Sequence, residues 1–141
     1  MTLVSLVYVS IETRPMTGQD IEDILKKARE FNSAHDITGM LLYRSGYFIQ
    51  ALEGDAEVVD KLYEKISRDP RHRNILTVYN KPIESRAFSN WSMGFKDLAD
   101  VDPSKFEGYT DFLEKPITPE LIGDGSRARA FLEMFREELN F

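Results

Sequence analysis

The order in which two kinds of apolar spacing follow one another constrains this chain most. Leu3 to Ser10 is a short Val-rich run of a buried strand, with Val4, Leu6 and Tyr8 on one face. After Arg14-Pro15, Thr17 suits an N-cap with Asp20 three residues on, and Ile21, Ile24, Leu25, Ala28 and Phe31 then recur at helical spacing, ending near Asn32. Ile37 to Tyr43 and Tyr47 to Glu53 read as strands joined by the tight turn Arg44-Ser45-Gly46, a β-hairpin. Gly54-Asp55 opens a second helix with the stripe Val58, Val59, Leu62, Tyr63 and Ile66, which Asp69-Pro70 stops. Ile75 to Tyr79 and, after the connection from Pro82 to Phe88, Trp91 to Phe95 supply two more strands. This order predicts an α+β, ferredoxin-like βαββαββ sandwich, both helices lying on one face of an antiparallel sheet.

From Lys96 the pattern changes. Residues 1–95 carry 12 basic against 13 acidic side chains, residues 96–141 carry 6 against 11, and Pro103, Pro116 and Pro119 interrupt any long element. The expected division is a folded unit at 1–95 and a C-terminal acidic segment with an amphipathic helix at 96–141. In that helix, Ser126 to Phe141, the residues Ala128, Phe131, Leu132, Phe135 and Leu139 make one stripe. The sheet face without the two helices is the nearest surface for it, and a partner subunit is the next.

Composition removes whole classes of chemistry. With no cysteine among 141 residues, disulfides, thiolate metal sites, thiol nucleophiles and cysteinyl–flavin adducts are excluded. A net charge of −6 gives no long-range attraction for phosphate backbones, so no nucleic-acid partner is expected. No apolar stretch reaches the roughly 20 residues of a membrane span, and Met1 to Tyr8 has no basic lead-in. A cytoplasmic protein without membrane contact is the expectation. His35 and His72 stand apart from any carboxylate set with metal-ligand spacing, so no metal is expected.

Some polar side chains fall where the pattern asks for apolar ones. Period-two counting puts Gln50 in a row with Phe48 and Leu52, and a buried amide left unpaired costs about 1–3 kcal/mol. Tyr8 repeats the tension among Val4 and Leu6, since a buried phenol seeks a hydrogen-bond partner. Asn32 either caps the first helix or turns its amide toward a ligand between the helices.

Together these residues resemble the BLUF family, blue-light sensors using flavin. The resemblance runs from Leu3 to Phe95. It rests on Tyr8, on Asn32 followed by Ile37-Thr38-Gly39-Met40-Leu41-Leu42-Tyr43, and on Phe48-Ile49-Gln50-Ala51-Leu52-Glu53-Gly54. Asp69-Pro70-Arg71-His72 and Trp91-Ser92-Met93 complete it. It implies noncovalently held FAD with its ring between the two helices. Asn32 would meet the pyrimidine edge, Gln50 the N5 and O4 region, and Ile24 and Ile66 the two ring faces, with Tyr8 donating to Gln50. Lys65 stands where many members have Arg near the ribityl and phosphate chain, and Asp69, Arg71 and His72 would lie near that end.

The resemblance also implies a photochemical role for Tyr8 and Gln50. The excited flavin draws an electron and a proton from the phenol through Gln50. Afterwards the amide stays rearranged, by rotation, tautomerisation or both, and absorption shifts slightly to the red. Trp91 and Met93 would relay the change outward to a downstream signalling protein, and a homo-oligomer would sharpen the response. The alternatives are a flavin-free interaction module of the same fold, and a small acylphosphatase-like enzyme built on Arg71-His72-Arg73. Neither a Gly-rich phosphate loop nor a nucleophile beside a base supports the enzyme.

Overall fold

The apolar runs become five strands and the 3.6-residue stripes become helices: β1 (Leu3–Glu12), α1 (Gly18–Ala34), β2 (Thr38–Arg44), β3 (Tyr47–Asp55), α2 (Ala56–Ser67), β4 (His72–Pro82), β5 (Gly94–Asp97) and α3 (Ser126–Glu138). This computed structural model describes residues 2–44, 46–89, 92–100 and 126–138. The expected breaks at Pro103, Pro116 and Pro119 and the apolar position Leu139 lie outside the described residues, as does the side chain of Phe135. Among the described residues no helix is long and apolar enough to cross a membrane.

Local chemistry explains the boundaries. Thr17 and Asp20 form the predicted capping box: the Asp20 amide donates to Thr17 Oγ1 at 3.1 Å and the Thr17 amide to Asp20 Oδ2 at 3.0 Å. The Thr17 amide, with the Arg14 guanidinium after it, holds the Asp20 carboxyl below its ordinary pKa. The β2–β3 hairpin closes through Gly46, whose φ of 92° is reached without strain because glycine has no Cβ. Predicted as a strand over Ile75 to Tyr79, β4 is longer, because it pairs with β1 from Glu12↔His72 to Val4↔Pro82. Exposed polar side chains along this edge hide the pairing from a hydropathy pattern.

The sheet order is β4-β1-β3-β2-β5. Three of the four pairings are antiparallel, but β5 runs parallel to β2, from Met40↔Gly94 to Tyr43↔Asp97. This corrects the expectation of a wholly antiparallel sheet, and of a last strand over Trp91 to Phe95. The chain crosses from β4 at one edge to pair beside β2 at the other, and a connection that crosses the sheet rather than turning back as a hairpin permits parallel pairing.

Each sheet face has its own core. Val4, Leu6, Tyr8, Leu41, Phe48 and Leu52 face α1 and α2, meeting Leu25, Val59 and Leu62. On the other face Val7, Val9, Met40, Leu42, Ile49 and Ala51 pack with Phe88, Leu98 and, from α3, Ala128, Phe131 and Leu132. The C-terminal helix therefore covers the sheet's second face, the first of the two surfaces expected for it. Arg129 fixes it there, donating to Ser5 Oγ at 3.0 Å and lying 3.5 Å from the Glu53 carboxylate.

Gly39 marks the closest approach of β2 to β3. A Cβ at this position would sit 2.1 Å from the carbonyl oxygen of Ala51, a ladder atom that cannot move without breaking the pairing. Gly39→Ala is expected to cost about 1–3 kcal/mol, read as a lower urea midpoint with an unchanged slope. An unaltered midpoint would show that the strands can separate there freely.

Candidate functional site

A cleft of about 200 Å³ opens between α1 and α2. A single water needs only roughly 10–15 Å³, so the space suits an organic ligand. Sheet residues Tyr8, Leu41, Phe48, Gln50 and Leu52 form its floor. From α1 come Ile24, Ala28, Phe31 and Asn32; from α2 come Leu62 and Ile66. The exposed Lys27 and Lys65 line it too, with the half-buried Asp69, Arg71 and His72 of the turn into β4.

The floor carries a chain of hydrogen bonds. Register places Tyr8 directly opposite Gln50, and the Tyr8 hydroxyl donates to Gln50 Oε1. Gln50 Nε2 in turn donates to Met93 Sδ at 3.3 Å. All three residues are buried, with 4%, 5% and 2% of their surface exposed. Burial above all, with lesser contributions from Tyr63 and Asp69, pushes the Tyr8 phenol well above its ordinary pKa, so it stays protonated. A thioether is a weak acceptor. Gln50 Nε2 has a second N–H besides the one on Met93, which an acceptor entering the cleft can take.

Asn32 does not cap α1 with its side chain. Its Nδ2 donates to the Ser92 carbonyl at 2.6 Å, tying α1 to the lead-in of β5. Both nitrogens of His72 are engaged, Nδ1 with Ser10 Oγ at 2.8 Å and Nε2 with the Ile66 carbonyl at 2.7 Å, so His72 offers the cleft its ring rather than a free nitrogen. Asp69 is held by the Arg71 guanidinium, with Nε 3.0 Å from both carboxylate oxygens; that hydrogen bonding keeps its carboxyl below the ordinary range. Lys65 lies over the Phe31 ring, 5.4 Å from the centroid.

The predicted positions Tyr8, Ile24, Asn32, Gln50, Lys65, Ile66, Asp69 and His72 thus line one cleft, and Met93 touches it through Gln50. Trp91 lies outside the described residues. Sequence reasoning did not single out Met16, Lys27, Ala28, Phe31, Leu41, Phe48, Leu52 and Leu62 as lining residues. It also missed Arg29, whose Nε donates to the Met93 carbonyl at 3.0 Å. Lys27 and Arg29 gave no signal, because a charged residue beside an apolar helical stripe reads as a solvated one.

A largely apolar cleft with the Gln50 amide on its floor and the Asn32 amide on its α1 wall fits a planar heteroaromatic ligand. Residues 3–94 match the sequence model of BLUF, sensors of blue-light using FAD. The chain belongs to the BLUF family. As a BLUF domain it is a blue-light flavin sensor. It is 43% identical over 93 residues to the beta subunit of photoactivated adenylate cyclase from Euglena longa, a match covering 65% of this chain and 11% of that protein. The alpha subunit from Euglena gracilis is 40% identical over 88 residues, 62% of this chain and 9% of that one. This BLUF chain spans about a tenth of the length of these curated relatives.

Solved structures agree in fold. BlsA in its photo-activated state superposes with a TM-score of 0.77 at 33% identity, covering 97% of this BLUF chain and 94% of BlsA. The dark state of BlrB, a BLUF protein, gives 0.74 at 33% identity, covering 92% and 96%. A bacterial light-regulated adenylyl cyclase gives 0.74 at 31% identity, covering 97% of this chain and 40% of that one.

Proposed function

We propose that this BLUF chain holds FAD noncovalently in the α1–α2 cleft and signals through light-driven rearrangement of the Tyr8–Gln50 network to a separate partner protein. The observation that carries the reading is the buried chain from Tyr8 through Gln50 to Met93 on the cleft floor. Ile24 and Ile66, from the two helices, suit the two faces of a ring, and Asn32 and Gln50 supply amides for its polar edge. FAD is favoured by the family's description and by Lys27 and Lys65, cations on opposite helices that suit a diphosphate. Asp69 and His72 complete that end of the cleft. The unit that senses light is assigned to residues 1–95, and 96–141 to a C-terminal appendage.

When bound, the flavin supplies blue absorption and, once excited, a strong oxidant. Tyr8 is placed to give up an electron, and its Oη proton has one path, along the hydrogen bond to Gln50 Oε1. Because burial raises the phenol's pKa, the proton does not leave ahead of the electron. Gln50 would take that proton at Oε1 and give one from Nε2 to the bound flavin that has received the electron; the return of electron and proton to Tyr8 leaves the amide turned or tautomerised, and either change alters what Met93 Sδ receives. Met93, with Trp91 two residues before it, passes the change into β5. A separate partner is favoured by the likeness to BlsA and BlrB across 94% and 96% of their chains. A reducing compartment suits a chain with no cysteine, and a cytoplasmic homo-oligomer is the form assigned.

The test is spectroscopic. The flavin-loaded protein is expected to show a small reversible red shift under blue light. Gln50→Leu is expected to stay yellow and lose that shift, since leucine neither accepts at Oε1 nor donates to sulfur. A shift of normal size in the leucine variant would remove Gln50 from the relay.

A further inference from the structure

Ser92 and Met93 precede β5, so their carbonyls must find partners outside the strand ladder. Both partners come from one face of α1. Asn32 Nδ2 donates to the Ser92 carbonyl at 2.6 Å, and Arg29 Nε, one turn earlier, donates to the Met93 carbonyl at 3.0 Å. Met93 is therefore gripped twice: its main chain by a guanidinium on α1, its sulfur by the Gln50 amide on β3. Arg29 forms no ion pair among the described residues, so no carboxylate competes for its charge-assisted donor.

We infer that Arg29 is a positioning residue for the light response. It holds the Ser92–Met93 peptide against α1 so that Met93 Sδ waits at Gln50 Nε2, and thereby sets how fast the amide network returns in the dark. This rests on the Gln50 relay proposed above. While the amide is rearranged, the guanidinium keeps the thioether in place for the return. Without it the peptide can drift on its single Asn32 bond, and the dark arrangement loses its waiting acceptor.

Arg29→Met keeps the long stem and the helix propensity but removes the donor. In flavin-loaded protein kept dark, deuterium uptake across Ser92–Asp97 is expected to quicken about 3- to 10-fold, and dark recovery of the photoshift to slow by a similar factor. Arg29→Lys, which retains charge and a donor, is expected to restore most of both. Either readout unchanged in Arg29→Met overturns the inference, as does a lysine variant as altered as the methionine one. A general loss of stability would quicken uptake across all of α1 and β3, and that pattern also overturns it. The uptake comparison needs no light reaction, so it judges Arg29 even if the wild type lacks a photoshift, a result that would instead count against the Gln50 relay.

Discussion

Tyr8→Phe is expected to retain flavin and to abolish the reversible red shift. The substitution keeps the ring and its neighbours, Tyr63 with centroids 5.6 Å away and His72 at 6.2 Å, and removes one oxygen. The lost oxygen is the donor to Gln50 Oε1 and the source of the transferable proton. With the cleft's walls intact, binding persists. The Gln50 carbonyl, 5% exposed, loses its partner at a cost of about 1–3 kcal/mol, so a modest fall in the urea midpoint should accompany the loss. Difference spectra taken before and after blue light check the first effect. A phenylalanine variant with wild-type amplitude would show that the proton travels by another route.

Glu53→Leu is expected to be among the most destabilising single changes in the chain, at about 3–5 kcal/mol. Glu53 has none of its surface exposed, yet it is well satisfied. Its carboxylate accepts from the amides of Ala87 at 2.8 Å and Phe88 at 2.9 Å, and from Thr38 Oγ1 at 3.2 Å. The Arg129 guanidinium of α3 lies 3.5 Å away. Leucine fills the volume but takes the acceptor from the buried Phe88 amide and from the half-buried Ala87 amide, and removes one of the two carboxylates at Arg129, which keeps Glu133 at 2.6 Å. On a total stability of roughly 5–15 kcal/mol that is a large share, and the thermal midpoint should fall by on the order of 10–20 °C. A fall of only a few degrees would mean that water replaces the carboxylate, and that the apolar stripe and the Arg129–Ser5 bond suffice to hold α3.

Much of the fold and of the site was legible because burial and periodicity leave marks in sequence. Tyr8 and Gln50 stood out as polar groups in apolar rows of period two, whereas the register that makes them opposite neighbours is a long-range pairing of β1 with β3 that local spacing does not encode. The capping box at Thr17 and Asp20 was visible for the same local reason. What stayed hidden depends on distant partners. The start of β5 is decided by parallel pairing with β2, which no local pattern encodes. Glu53 was only the last residue of the predicted third strand; the return of Ala87 and Phe88 across the sheet shows it as a hub. Arg29 and Lys27 gave no signal because their partners, a carbonyl far along the chain and a cleft, are tertiary.

The lid formed by α3 has a bearing on how such a sensor can be spliced to an effector. A seam cut after Phe95 would strip away Ala128, Phe131 and Leu132 and leave Val7, Val9, Met40, Leu42 and Ile49 as a greasy plane inviting aggregation. A seam placed beyond Glu138 keeps that plane roofed. Any graft made earlier has to bring its own roof, with a cation ready for Glu53.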